Sequence, residues 1–319
     1  MKIVILDGHA LNPGDISWAG FEALGEVVLY DRTANDPAEI IARIWDAQVA
    51  LSNKVPITEE ILAGCPNLEY VGVMATGFNQ IDLAACAKHQ VTVTNIPAYG
   101  SEAVAQFTFA LLLEITSQVA LHNASVKQGD WQRCPDFTYF VKPLMELQGK
   151  TIGMIGYGAI AKEVAEIAHA FKMKVIYWNH RKKAPQAPWA SQVSLAELYQ
   201  KADVVSLHVP LFPETEKMID QAALDQMKTG AILLNTSRGP LLEEAAVAEA
   251  LHSGKLAACG LDVVAQEPIL ADNPLLIAPN CWLTPHIAWA AVETRARLMG
   301  IGVENLARYL EGQPQNVVK

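Results

Sequence analysis

The stretch Thr151–Ala161, TIGMIGYGAIA, limits most strongly what this chain can fold into. Apolar, partly β-branched residues run into Gly156-x-Gly158, and a helix-forming segment follows. A strand entering a helix through such a turn belongs to an open parallel α/β sheet that binds a nucleotide. Gly156 permits the tight turn and Gly158 lets a pyrophosphate approach the backbone. The helix from Ala159 then aims its unsatisfied N–H groups and positive dipole end at that anion. Ala161 stands where a third glycine is usual and adds one methyl group to the helix–strand contact. Nearly half the chain precedes the motif, so one nucleotide-binding sheet leaves the first 150 residues unexplained.

A length of 319 residues gives room for two domains with separate cores. In the first hundred residues the pattern predicts strands at 3–6, 27–30, 49–52, 70–74 and 91–95. Helices fit 37–45, 58–63 and 82–89, with Thr58 and Asp82 as N-caps and Glu59 and Glu60 in a first turn. From the glycine turn onward, strands are predicted at 151–155, 174–177, 204–208, 231–235, 258–261 and 282–284. Helices fit 159–171, 195–201, 222–227 and 242–252, and longer ones fit 101–118 and 292–311. Alternating strands and helices mean parallel sheets in both halves. The last helix returns to the first domain, which is therefore discontinuous. The expected division is 1–99 with 288–319 against 100–287, with KKAPQAP (182–188) as a surface loop.

Net charge −10 argues against nucleic acid or an anionic membrane as partner. The five cysteines are scattered and form no C-x-x-C pair, which predicts free thiols in the reducing cytoplasm and no metal site. MKIVILDGH reads as a first strand rather than a signal peptide, and the apolar run 107–115 is too short to span a bilayer.

Ligands of open α/β sheets bind beyond the carboxyl ends of the strands. Those ends carry His208 in LHVP, Arg238 in LLNTSRGP, Asp262 and Glu267 in LDVVAQEP, and His286 in LTPHIAWA. An arginine, a carboxylate and a histidine can together anchor an acid and protonate a carbonyl. Asn179, at the end of the second strand of this half, holds the position where an acidic residue usually binds the ribose of NAD. Asparagine does not repel a 2′-phosphate, and Arg181, Lys182 and Lys183 follow at once. The expectation is NAD or NADP, with the basic run favouring NADP or use of both.

NTSRGPLLEEAAVAEAL, GLDVVAQEP and LTPHIA, in that order, resemble the signatures of the D-isomer-specific 2-hydroxyacid dehydrogenases, and the resemblance covers the whole chain. NIPAYGSEAVAQFTFALLLE and TPHIAWA are most similar to the glycerate dehydrogenase (hydroxypyruvate reductase) branch. The resemblance implies a Rossmann NAD(P)-binding domain inserted in a discontinuous flavodoxin-like substrate domain, and a homodimer. It implies reversible reduction of a small 2-oxo acid to the D-2-hydroxy acid. Arg238 would grip the substrate, His286 would be general acid and base, and Glu267 would pair with His286. Asp262 would contact the nicotinamide carboxamide. The loop MATGFNQID would bind the substrate carboxylate through backbone N–H groups of Thr76 and Gly77, with Lys54 nearby. Further cofactor contacts are expected at Gly156, Tyr157, Gly158, Ala159, Ile160, Asn179, His180, Arg181, His208, Val209, Pro210, Thr215, Thr236 and Ala288. His208 reads as pocket wall rather than acid–base catalyst. Formate dehydrogenases of this fold carry glutamine at the place of Glu267, which disfavours that reading. A D-lactate-type dehydrogenase and a non-catalytic nicotinamide-sensing protein of the corepressor kind stay open as alternatives.

Overall fold

The computed structural model describes residues 1–181 and 187–319; Lys182 and Lys183 of the basic run lie outside the described residues. The chain forms two compact units, Met1–Gly100 with Trp289–Lys319, and Ser101–Ala288.

The first unit holds strands β1 (Lys2–Ile5), β2 (Glu26–Leu29), β3 (Val49–Ser52), β4 (Tyr70–Val73) and β5 (Thr92–Thr94). They form one parallel sheet in the order β2-β1-β3-β4-β5. β3 and β4 are buried along their whole length, as expected of parallel strands covered on both faces. Alternation along β1 supplies both cores: Val4 packs with Ile40, Ile61 and Val71, while Ile3 and Ile5 pack with Phe21 and Tyr70 on the other face.

Helices α1 (Gly8–Leu11), α2 (Ala19–Glu22), α3 (Pro37–Ile44), α4 (Glu59–Gly64) and α5 (Leu83–Lys88) connect the strands. Asp82 caps α5 by accepting from Ala85 N at 2.9 Å. Thr58 does not cap α4 with its side chain, contrary to expectation; the acidic first turn, Glu59 and Glu60, is what complements that helix dipole. α1 and α2 escaped the sequence reading because four residues are too few to show an apolar period.

The second unit begins with α6 (Ser101–Ser117), α7 (Val119–Lys127) and α8 (Asp130–Arg133). The sheet elements follow as β6 (Thr151–Ile155), α9 (Ala159–Ala170), β7 (Lys174–Trp178), β8 (Ala190–Gln192), α10 (Leu195–Lys201) and β9 (Val204–Leu207). α11 (Gln221–Gln226), β10 (Ala231–Asn235), α12 (Glu244–His252), β11 (Leu256–Leu261) and β12 (Cys281–Leu283) complete it. The sheet has seven parallel strands rather than six, in the order β12-β11-β10-β9-β6-β7-β8. The extra strand, β8, is three residues of ASQ, with no β-branched signal to betray it. Strand order reverses beside β6, so the turn after β6 sits at the topological switch point, where such sheets bind ligands.

α12 begins at Glu244 rather than Leu242 because Gly239–Leu241 forms a 3-10 turn first. Helix α13 (Val292–Leu310) belongs to the first unit, where Leu298 and Leu306 join the core around Ile3 and Phe21. Two doubly wound parallel-sheet domains, one interrupted by the other along the chain, are thus the fold class that the sequence implied. Among the described residues no single helix is long and apolar enough to cross a membrane.

Candidate active site

Gly156 takes φ +92°, and a Cβ there would lie 2.5 Å from the carbonyl oxygen of His208. Only glycine satisfies both conditions. Around Gly158 a Cβ would meet no atom within 4 Å, so the backbone faces open space before the first turn of α9. Ala161 is fully buried in the core between α9 and the sheet. Tyr157 lies beneath the turn, its ring stacked on Tyr177 with centroids 3.8 Å apart. Its N–H donates to Asn179 Oδ1 at 3.0 Å, so Asn179 ties the end of β7 to the glycine turn. The Nδ2 of Asn179 is buried with no hydrogen-bond partner among the described residues, a donor waiting for an acceptor. An open glycine turn, a helix N-terminus and an orphaned donor at the ribose position fit a dinucleotide. Ala159 and Ile160 open α9, and His180 and Arg181 are exposed beyond β7.

His208 follows β9. Its Nε2 lies 2.9 Å from Ser206 Oγ, its Nδ1 is buried without a partner among the described residues, and burial pushes its pKa down to about 4. It is therefore neutral near pH 7, which suits a pocket wall better than a proton donor. Val209 is half-buried and Pro210 exposed. Thr215 Oγ1 donates to Pro210 O at 2.8 Å and accepts from Phe212 N at 2.8 Å, closing that loop on itself.

Three neighbouring strands, β10, β11 and β12, deliver the remaining groups at their carboxyl ends. After β10, Thr236 Oγ1 meets Thr108 Oγ1 at 3.0 Å. Buried Asn235 pins the next turn: its Nδ2 donates to Arg238 O at 2.8 Å and its Oδ1 accepts from Ser237 N at 2.9 Å. Ser237 Oγ adds a bond to Leu207 O at 2.7 Å. The Arg238 guanidinium is exposed; it donates to Ser237 O at 2.7 Å and has no carboxylate partner among the described residues. A guanidinium so placed is available to an external carboxylate.

At Gly239 a Cβ would fall 1.9 Å from the carbonyl carbon and oxygen of Val264, so the turn after β10 rests directly on the loop after β11. That loop carries Glu267, whose Oε2 lies 2.7 Å from His286 Nδ1. His286 follows β12 in the left-handed region, at φ +55°. Asp262 holds it there. Its carbonyl accepts from His286 N at 2.8 Å, and its carboxylate accepts from Thr284 Oγ1 (2.7 Å), Ile287 N (2.9 Å) and Ala288 N (2.8 Å). The Asp262 carboxyl is only 1% exposed, and burial raises its pKa despite these donors. Asp262 and Ala288, expected among the cofactor contacts, also shape the loop that presents His286.

In the first unit, buried Asp7 accepts from the N–H groups of Asn53 (2.8 Å) and Lys54 (2.6 Å), turning exposed Lys54 out of the end of β3. Asn53 Nδ2 donates to Met74 O at 2.9 Å, joining that loop to the one after β4. Thr76 spends its hydroxyl on Ile96 O at 2.8 Å, whereas the N–H groups of Thr76 and Gly77 have no acceptor among the described residues. Two unpaired N–H groups in one exposed loop suit a carboxylate.

Residues 109–288 match the family model of the D-isomer specific 2-hydroxyacid dehydrogenase NAD binding domain. A hydroxypyruvate reductase of Blautia hydrogenotrophica is 49% identical over 100% of this chain and 99% of its own. The chain belongs to the D-isomer specific 2-hydroxyacid dehydrogenases. A glycerate dehydrogenase of Methylorubrum extorquens is 38% identical over 100% of this chain and 99% of its own. Among solved structures, an acyclic imino acid reductase in complex with NADPH and D-Arg superposes with TM-score 0.86 at 31% identity, over the full length of both chains.

Three positions in this dehydrogenase went unremarked in the sequence. Asn235 fixes the Arg238 turn, and Gly239 admits the Val264 backbone. Glu244 accepts from Ala265 N (2.7 Å) and Asn273 Nδ2 (2.9 Å), steadying the loop that carries Glu267. All three lie inside or beside NTSRGPLLEE, but their roles depend on strands that meet only in the folded sheet.

Proposed function

We propose that this dehydrogenase reduces a small 2-oxo acid of the hydroxypyruvate or glyoxylate type to its D-2-hydroxy acid. The observation that carries the reading is the Glu267–His286 pair at 2.7 Å, presented beside the Arg238 turn at the ends of three neighbouring strands. Arg238 takes the substrate carboxylate with two N–H groups of its fork and polarises the ketone. Glu267 engages His286 at Nδ1, so the proton passes to the carbonyl oxygen from Nε2; in the oxidative direction Nε2 takes it back. In the first unit, Thr76 and Gly77 offer backbone donors suited to a carboxylate, and Lys54 offers positive charge. A bound reduced nicotinamide supplies the hydride. The Gly156–Ile160 turn and helix start hold the pyrophosphate, and Asn179 with Arg181 meets the adenosine ribose. His208, Val209, Pro210, Thr215 and Thr236 wall the nucleotide site.

Incubation with a panel of small 2-oxo acids and each reduced cofactor, followed by nicotinamide absorbance, tests this reading. Hydroxypyruvate or glyoxylate should give the highest kcat/KM. Turnover confined to pyruvate would assign a D-lactate-type enzyme, and no turnover with any 2-oxo acid would assign a nicotinamide sensor.

NADP is the favoured cofactor in this proposal, because Asn179 brings no negative charge and Arg181 follows it. Asn179→Asp keeps an acceptor for Tyr157 N while placing a carboxylate near any 2′-phosphate. The NADPH/NADH ratio of kcat/KM should fall by about tenfold. An unchanged ratio would leave Arg181 as a solvated side chain.

The proposal includes a homodimer. Trp131, Phe137 and Phe140 are 53%, 89% and 72% exposed in the segment between α7 and β6, more aromatic surface than a solvated loop needs. Sedimentation should give twice the chain mass.

A further inference from the structure

We propose that Cys259 and Cys281 form an oxidant-reactive dithiol, a modification site that a hydroperoxide converts into a disulfide joining β11 to β12. The two cysteines are register partners on adjacent parallel strands, and their sulfurs lie 3.2 Å apart. Closing to a disulfide needs a movement of about one ångström. β12 is the edge strand of its sheet and pairs with β11 alone, so no second strand holds it against that movement.

The two thiols differ in the way a reactive pair requires. Cys281 is partly exposed and Cys259 is completely buried, so an oxidant in solution meets Cys281 first. The Cys259 S–H donates to Cys281, which lowers the pKa of Cys281 and raises that of Cys259. Cys281 is thereby the nucleophile and Cys259 the resolving thiol. Elsewhere, burial pushes the thiols of Cys65 and Cys86 up to about 11.

In the first step the Cys281 thiolate attacks one peroxide oxygen. The O–O bond breaks, the other oxygen leaves as alkoxide and takes a proton, and a sulfenic acid remains. Cys259 sulfur then attacks Cys281 sulfur; the S–O bond breaks and hydroxide departs as water with the Cys259 proton. Two thiols and one hydroperoxide give one disulfide, one alcohol (water in the case of hydrogen peroxide) and one water.

Cys259 lies three residues before Asp262 and Cys281 five before His286, on the two strands whose ends that aspartate ties together. Drawing those strands together moves the loop presenting His286. This consequence for turnover rests on the role given to His286 above; formation of the disulfide does not.

The test treats the full chain with hydrogen peroxide and maps its cysteines by mass spectrometry. The tryptic peptide Leu256–Arg295 carries both thiols. It should lose two hydrogen atoms, and cleavage before Asp262 and Asp272 should leave its outer fragments joined until a reductant is added. Turnover should fall by at least about tenfold and return with dithiothreitol. Cys259→Ser and Cys281→Ser should each keep basal turnover and become insensitive to peroxide, while Cys134→Ser should remain sensitive. Oxidation elsewhere with this peptide unchanged would overturn the site. A joined peptide with unaltered turnover would overturn its coupling to the His286 loop.

Discussion

Replacing His286 by alanine is expected to lower kcat by about 10²–10⁴ while leaving cofactor affinity nearly unchanged. The imidazole meets Glu267 at the end of β12, whereas the glycine turn and Asn179 lie beyond β6 and β7, several strands away in the sheet. Removing the ring therefore removes the proton donor and leaves the nucleotide cradle intact. The left-handed backbone at φ +55° complicates alanine, since histidine and asparagine tolerate that region better than alanine does. Asparagine tolerates that conformation well and brings no comparable acid. Equal losses in His286→Ala and His286→Asn would assign the effect to the imidazole. Steady-state turnover with fluorescence titration of the cofactor makes the check; a large loss of nucleotide affinity would place His286 in the cofactor site instead.

The second large effect is structural in origin. Gly239→Ala would put a methyl carbon 1.9 Å from backbone atoms of Val264, and no rotamer change relieves a clash between Cβ and main chain. One of the two loops must move. The Arg238 turn is tied back by Asn235 and Ser237, and the Val264–Glu267 segment by Glu244 through Ala265 N. Forcing them apart should cost about 3 kcal/mol or more and lower Tm by roughly 5–10 °C. It should also cut kcat/KM by about 10²-fold, because Arg238 and Glu267 ride on the displaced loops. Thermal denaturation and kinetics on the same preparation decide this. A variant with unchanged Tm would mean that the two loops are not in contact.

The parallel sheets were legible because their signals are local: β-branched runs, glycine turns and helical segments at regular spacing. The strand ends bearing Arg238, Asp262 and His286 could be read off the chain for the same reason. That Glu267 meets His286 came only from family resemblance, since nineteen residues separate them and no local rule brings them together. Thr58 shows the opposite failure. It has the right residue type and position for a cap, yet its side chain makes no cap bond. The supporting groups were silent because each acts across the sheet: Asn179 on the glycine turn, Asn235 on the Arg238 turn, Asp262 on the His286 loop, and the Gly239 contact with Val264. A one-dimensional pattern carries the residue types of such a network but not the partner each will find.

The most direct measurement of the proposed chemistry follows a label. The protein is incubated with hydroxypyruvate and a reduced nicotinamide carrying deuterium at both C4 positions, and the hydroxy acid formed is analysed for isotope position and configuration. A single D-isomer carrying deuterium at C2 is the predicted result. An L-isomer, a racemate or an unlabelled product would contradict it.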